Sequence, residues 1–98
     1  MTYAVQYDVP GDAQIYARVK EAIGAEPVSG LLVHLVVSAP TGGLRHIEVW
    51  EDRNDFERFD HDRVLPAVRG VLRSIGVAEP PPAPVRDELD VVDLHVPD

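Results

Sequence analysis

A short apolar run near the middle of the chain most restricts how it can fold. Residues 31–37 read Leu-Leu-Val-His-Leu-Val-Val, so apolar side chains occupy both odd and even positions and only His34 interrupts them. The run is too short to cross a membrane as a helix, and its β-branched residues favour an extended strand. It therefore predicts a strand whose two faces both need to be covered.

The sequence around this run predicts two further strands. Residues 3–8 and 44–51 each alternate between two sets of side chains, which is the period of an extended strand. Residues 40–43 read Pro-Thr-Gly-Gly and supply a turn. The strands over 31–37 and 44–51 are therefore expected to form an antiparallel hairpin.

Two helical regions are predicted between the strands. Asp12 is placed to cap a helix whose apolar residues recur every four positions up to Gly24. Asp52 is placed to cap a second helical region, in which Pro66 marks the first turn of a continuation that ends at Gly76. We therefore expect the second region to be bent or split.

A proline-rich stretch follows the second helical region. It predicts an extended connector over residues 79–87, and residues 89–96 then alternate as a last strand. The resulting order, β-α-β-β-α-β, is typical of an α+β ferredoxin-like fold. It predicts a single domain over residues 1–98, with a four-stranded antiparallel sheet and both helical regions on one face.

The other face of this sheet also needs a cover. Strand 31–37 is apolar on both sides, and alternation in the next strand puts Leu44 and Trp50 on the side opposite Ile47 and Val49. We expect Leu44 and Trp50 to lie on the uncovered side. A second copy of the sheet would bury this surface through a two-fold interface, so the pattern predicts a homodimer.

The charge balance argues against several classes of partner. The chain has 17 acidic and 9 basic residues, a formal charge of −8, and no cysteine. An acidic surface repels phosphate groups, so neither nucleic acid nor a membrane surface is expected as a partner. With no leader-like segment before the first strand, the expected location is cytoplasmic. Residues 60–62 read Asp-His-Asp, but adjacent helical residues point in different directions, so no metal site is predicted.

Several segments together resemble the dimeric α+β barrel superfamily, in particular small actinobacterial proteins grouped near the antibiotic biosynthesis monooxygenases. The resemblance follows the order of elements over residues 3–76. The segments that carry it are Gly-Leu-Leu-Val-His at 30–34, Gly-Gly at 42–43, Glu-Val-Trp-Glu-Asp at 48–52, Phe-Glu-Arg-Phe at 56–59 and Leu-Pro at 65–66.

This resemblance implies a fold more firmly than an activity. Members pair their sheets back to back and often hold a ligand between sheet and helices. They include cofactor-free monooxygenases, haem-degrading enzymes, cyclases and isomerases. Of the Asn, Trp and Tyr associated with the cofactor-free monooxygenases, only Trp50 has a counterpart here. The resemblance therefore implies a small homodimeric protein without a cofactor that binds an apolar or aromatic small molecule, with monooxygenase-like, cyclase or isomerase activity.

The strand over residues 44–51 carries the first candidate site residues. His46, Glu48 and Trp50 are two positions apart and share one face. An imidazole and a partly buried carboxylate can move a proton, and an indole can stack on a planar ligand. We take His46 and Glu48 as candidate catalytic residues and Trp50 as a candidate ligand-binding residue, although Trp50 also fits a purely structural anchor.

The position of His34 depends on the hairpin register. If Pro40 lies opposite Gly43, His34 lies opposite Val49 and points toward the helices, whereas a one-residue bulge places it opposite Trp50, on the face of that residue. We favour the bulge, because a polar side chain beneath packed helices is the costlier arrangement. His34 is then a third candidate catalytic residue.

Polar residues on the outer strands are weaker candidates. If the odd residues of strand 3–8 face the helices, Gln6 and Asp8 project together from the other side, and Asp93 and His95 share a face of the last strand. Gln6 and His95 are candidate ligand-binding residues, while Asp8 and His95 also fit strand ends in water.

Two other functions remain open at this point. The protein could be a non-catalytic dimeric structural or interaction protein in which packing consumes the second sheet face and leaves no cavity. A haem-related role would require an axial histidine in an apolar pocket.

Overall fold

The computed structural model describes residues 2–40, 42–77 and 83–97. Within these ranges the order of elements is β-α-β-β-α-β, with the second helical region split as expected. A π-helical segment, Asp60–Val64, joins the two parts of that region. The strands and α-helices, in chain order, are β1 Tyr3–Val9, α1 Ala13–Ile23, β2 Leu31–Ser38, β3 Leu44–Trp50, α2 Arg53–Phe59, α3 Leu65–Ser74 and β4 Arg86–Leu89.

The four strands form one sheet in the order β2-β3-β1-β4, and every neighbouring pair is antiparallel. This is the ferredoxin-like α+β architecture predicted from the sequence. The register of the β2–β3 hairpin runs unbroken from the turn to Val33 and places His34 opposite Glu48. His34 therefore shares a face with Trp50 as expected, but its expected pairing with Trp50 is wrong. The β-bulge lies beyond His34, between Leu31 and Val33, and does not set the face of His34.

Both predicted helix starts are confirmed. The Asp12 carboxylate accepts a hydrogen bond from the backbone N–H of Ile15 at 3.0 Å, and the Asp52 carboxylate accepts one from the backbone N–H of Asn54 at 2.8 Å. These bonds satisfy backbone donors that a helix leaves free in its first turn. Among the described residues, no helix has the length and apolar character needed to cross a bilayer.

The apolar core lies between the sheet and α2. Val5 and Trp50 are fully buried, and Phe56 is 4% exposed. The Trp50 ring lies 5.8 Å from that of Phe56 and 5.6 Å from that of Phe59. The partly buried hydrophobic residues around this core are Tyr3, Tyr7, Val28, Leu31 and Phe59.

The face assigned to Trp50 from the sequence is therefore wrong, and so is that of Leu44, which lies three pleat repeats away on the same side of β3. Trp50 points toward the helices, and alternation takes Glu48 and His46 with it. Alternation shows which residues share a face but not which face meets the helices. The indole buries more apolar area here than Ile47 or Val49 would, and hydrogen bonds offset the cost of burying its polar neighbours.

The predicted last strand is also wrong in its bounds. β4 covers Arg86–Leu89 and pairs with β1, whereas residues 90–97 are in no strand. The connector predicted over residues 79–87 extends too far, since Arg86 and Asp87 belong to β4; residues 78–82 lie outside the described part of the chain.

Contacts with α2 and the π-helical segment explain where β4 lies. Arg86 Nη2 is 2.9 Å from Asp60 Oδ2, and its guanidinium lies over the Phe56 ring at 5.0 Å. Arg53 Nη1 is 3.1 Å from Glu88 Oε1. Local alternation carries no information about such long-range ion pairs. The more hydrophobic residues 89–96 were therefore predicted as the last strand in error.

The sheet face away from the helices, here called the uncovered face, is apolar as predicted, although with different residues. The register places Leu35 opposite Ile47 and Val33 opposite Val49 on this face. Leu35 is 49% exposed and Val37 is 38% exposed. The requirement for a cover thus comes from these residues rather than from Trp50.

Candidate functional site

Two neighbouring strands bring three polar side chains together on the helix side of the sheet. His46 and Glu48 are two residues apart on β3 and so share a face, and the hairpin register places His34 opposite Glu48. We call His34, His46 and Glu48 the His-Glu cluster. The sequence predicted that these residues meet, but on the other side of the sheet.

The polar atoms of the His-Glu cluster converge on one point. His34 Nε2 lies 3.2 Å from His46 Nδ1, a hydrogen bond whose donor depends on the tautomers of the two rings. Glu48 Oε2 lies 3.6 Å from His34 Nε2 and 3.9 Å from His46 Nδ1. Two imidazole nitrogens and one carboxylate oxygen therefore face one another at separations of 3.2–3.9 Å.

The Glu48 carboxylate is held from behind by two donors. The Tyr7 hydroxyl donates to Oε2 at 2.8 Å, and the Trp50 indole N–H donates to Oε1 at 3.1 Å. Glu48 is only 5% exposed, so these bonds offset the cost of removing the carboxylate from water. Burial, followed by the nearby Glu48 charge, raises the pKa of Tyr7, which keeps its hydroxyl protonated as a donor.

His46 sits between two aromatic rings. The Tyr7 ring stacks on the imidazole at 5.0 Å, and the Tyr16 ring of α1 meets it edge-on at 5.6 Å. Burial, and to a lesser degree the neighbouring His34, lowers the pKa of His46 to about 4. His46 is therefore a neutral imidazole near pH 7, able to offer a lone pair.

The cluster is open on the side of α1. The side chain of His34 is 32% exposed. No residue of α1 is fully buried, and Tyr16 is only half-buried. α1 thus covers this end of the sheet loosely and leaves access to the cluster past His34. A separate open groove between α1 and α3 is lined by none of the cluster residues.

The remaining predicted site residues do not join the cluster. Trp50 is fully buried, and its indole N–H donates to Glu48. The structure therefore does not support a direct contact between Trp50 and a ligand. Gln6 lies opposite Ile47 on the uncovered face. His95 is an exposed residue in the segment after β4. Asp8 forms an ion pair with Arg45 at 2.8 Å, which lowers the pKa of its carboxyl.

Tyr7 and Tyr16 were not among the predicted site residues. Tyr7 reaches the site because the antiparallel register places it opposite His46. Correct pairing of β1 with β3 would have identified it, since directly opposed side chains are neighbours. Tyr16 reaches His46 only through the way α1 packs, for which the sequence carries no local signal.

Comparison with known proteins gives matches at the level of structure only. No protein-family model matches the chain, and no curated protein does so. A candidate antibiotic biosynthesis monooxygenase from Chloroflexus aurantiacus has 17% identity and a TM-score of 0.60, over 97% of both chains. A monooxygenase from Streptomyces coelicolor, in complex with nanaomycin D, has 20% identity and a TM-score of 0.53, over 99% of this chain and 91% of that one.

A third match is SnoaB from Streptomyces nogalater, a cofactor-independent oxygenase, with 18% identity and a TM-score of 0.52 over 95% of this chain and 93% of that one. The chain has the fold of the antibiotic biosynthesis monooxygenases. The resemblance predicted from the sequence is therefore confirmed for the fold. At these identities, the activities of the matched proteins are not transferred to this chain.

Proposed function

We propose that this protein binds an aromatic small molecule between α1 and the helix side of β2 and β3, with the His-Glu cluster at the polar end of the binding space. The observation that carries this proposal is the convergence of His34, His46 and Glu48 beside two tyrosine rings, under a helix with no fully buried residue. Loosely covered, mostly apolar clefts with a few convergent polar groups are the usual form of small-molecule sites.

The side chains around this space suit a planar, oxygen-bearing ligand. Tyr7 and Tyr16 present aromatic surface next to His46. A neutral imidazole can donate a hydrogen bond to a carbonyl oxygen or accept one from a hydroxyl group. Cofactor-free oxygenation, cyclisation and isomerisation each require a proton to move on the bound substrate, and an imidazole pair next to a carboxylate can do this. The structural match from Streptomyces coelicolor was solved in complex with a small-molecule ligand, nanaomycin D.

The test is ligand binding by protein treated with EDTA, measured by isothermal titration calorimetry with nanaomycin D and a series of hydroxynaphthalenes. We expect saturable binding of at least one of these compounds. Tyr16→Ala should weaken that binding roughly 3- to 10-fold, the value of one aromatic contact. Gln14→Ala, an exposed substitution on the same helix, serves as the control. Equal affinity of the two variants, or no binding by the whole series, would contradict the proposal.

We further propose that a second copy of the chain covers the uncovered face. The face has an apolar centre formed by Leu35, Val37 and Ile47, and its edge carries the Arg45–Asp8 ion pair. Burying apolar surface stabilises association by about 25 cal/mol per Å² removed from water, and a two-fold axis lets one patch cover its own copy.

Sedimentation velocity tests this assembly. Wild-type protein should sediment as a dimer, and Leu35→Glu should shift it to monomer, because the new charge would be buried without a partner. Ala17→Glu adds the same charge on the exposed side of α1 and should leave the dimer intact. A monomeric wild type, or a dimer unaffected by Leu35→Glu, would exclude this interface.

A further inference from the structure

We propose that His34, His46 and Glu48 form a binding site for one divalent transition-metal ion of borderline softness, such as Zn²⁺. No metal site was predicted from the sequence, because the only cluster considered there was the exposed one at residues 60–62. This inference concerns the ion alone and does not depend on the aromatic ligand proposed above.

The geometry of the three donor atoms fits such an ion. With separations of 3.2, 3.6 and 3.9 Å, His34 Nε2, His46 Nδ1 and Glu48 Oε2 are all about 2.1 Å from one common point, which is the length of a zinc–nitrogen or zinc–oxygen bond. Tetrahedral ligands at that bond length are about 3.4 Å apart, so small side-chain shifts would complete the arrangement.

The chemistry of the donors points the same way. Two imidazoles and one carboxylate are a recurrent ligand set of zinc and of non-haem iron, and three protein ligands leave a further coordination position free. That position would face the open side, past the partly exposed His34. An exogenous ligand or a water molecule would therefore have access to the ion.

Charge at the cluster provides a second, independent reason. Glu48 is buried, yet within the described ranges no lysine or arginine forms an ion pair with it, and its two firm partners, the Tyr7 hydroxyl and the Trp50 indole, are neutral donors. A buried carboxylate is stabilised far better by a positive charge than by neutral donors alone. A divalent cation among the three side chains would supply that charge.

Protonation of the histidines is compatible with metal binding. One proton lies between His34 Nε2 and His46 Nδ1 in the hydrogen-bonded form, and it would move to the ring nitrogen that faces away from the ion. Loading would thus change a tautomer without requiring the protein to unfold locally.

Tyr7 and Trp50 would act as positioning residues for the ion. Their hydrogen bonds to Oε2 and Oε1 fix the plane and direction of the Glu48 carboxylate before any ion arrives. Loss of such an outer partner typically lowers metal affinity 10- to 100-fold. Tyr7→Phe removes one of these bonds while keeping the ring that stacks on His46.

The experiment uses the full chain, stripped with EDTA and titrated with Co²⁺ alone while the visible d–d absorption is recorded. We expect one Co²⁺ per chain, an absorption band typical of a four- or five-coordinate ion, and loss of the band when Zn²⁺ is added. His34→Gln should lower Co²⁺ affinity by more than about 100-fold, and Tyr7→Phe by about 10-fold. His61→Gln, at an exposed histidine that contacts Asp62, should leave affinity unchanged.

His34 is partly exposed and lies outside the apolar core, so His34→Gln should keep the wild-type circular dichroism spectrum and melting temperature. Absence of a saturable Co²⁺ spectrum in the wild type would overturn the inference. Equal Co²⁺ affinity in wild type and His34→Gln would also overturn it, as would an equal loss in His61→Gln. Because the aromatic titration is done in EDTA, failure of the metal site and failure of the aromatic site are separate results.

Discussion

The two ends of the helix side of the sheet are built very differently. At the α2 end, Val5, Trp50 and Phe56 form a closed apolar core. At the α1 end, His34, His46 and Glu48 lie beneath a helix with no fully buried residue, although Glu48 is only two residues from Trp50 on β3. One sheet face thus combines a part that stabilises the fold with a part that leaves polar groups accessible, as binding sites require.

Chain connectivity explains much of this difference. β3 ends at Trp50, and Asp52 already caps α2, so the helix folds back directly over the indole. The ion pair between Arg86 and Asp60 ties β4 to the same region. α1 follows β1 through the loop at residues 10–12, and it contacts the polar end of the sheet through the edge of the Tyr16 ring.

The largest effect is expected from Trp50→Ala at the closed end. Removing the buried indole should lower the free energy of unfolding by about 3–5 kcal/mol, because the cavity cannot be filled by its aromatic neighbours. Urea denaturation followed by far-ultraviolet circular dichroism measures this. Trp50→Phe should lower the free energy of unfolding by clearly less than Trp50→Ala. A loss below about 1 kcal/mol for Trp50→Ala would mean that the closed end is not the main source of stability.

Glu48→Gln tests the junction between the two ends. In this variant the side-chain NH₂ replaces one of the two carboxylate oxygens that accept hydrogen bonds from Tyr7 and Trp50. Either the Tyr7 hydroxyl or the Trp50 indole N–H therefore loses its buried acceptor. We expect a loss of about 1–3 kcal/mol in metal-free protein, again by urea denaturation. Glu57→Gln makes the same change on the exposed side of α2 and should have little effect. Similar values for the two variants would show that the junction does not stabilise the fold.

Tyr16→Ala probes the open end in the same way that Trp50→Ala probes the closed end. Because Tyr16 is half-buried and meets His46 edge-on, we expect the free energy of unfolding to fall by about 1 kcal/mol or less. Thermal unfolding by differential scanning calorimetry measures it. A loss as large as that of Trp50→Ala would contradict the contrast between the two ends.

The smallest effect is expected from Arg86→Ala. The pair with Asp60 is partly exposed, so its loss should cost about 0.5–1 kcal/mol. Native-state hydrogen exchange should show faster exchange in β4 with little change in α1, since the Arg86 side chain contacts Asp60 and the Phe56 ring on the α2 side. Equal acceleration in α1 would indicate that the two ends open together.

Much of the candidate site could be predicted from local sequence. The two-residue spacing of His46 and Glu48 placed them on one face, and the cost of burying His34 led to the correct expectation that His34 shares a face with Trp50. The reason given was nevertheless wrong, because the shared face lies under the helices and the turn register, not a bulge, places His34 there. Gln6 and His95 lie away from the cluster, and neither alternation nor charge could show this.

The sequence by itself determined the order of the elements, the starts of the helices and the sets of side chains that share a face. These follow from local geometry: a period of two in strands, a capping carboxylate and a turn of proline and glycine. Tertiary structure alone decided which face of β3 meets the helices and where β4 pairs. Those choices depend on contacts between residues far apart in the chain, above all Trp50 with Phe56 and Phe59, and Arg86 with Asp60. The His-Glu cluster lies in an accessible space for the same reason, since burying Trp50 under α2 places its strand neighbours under α1.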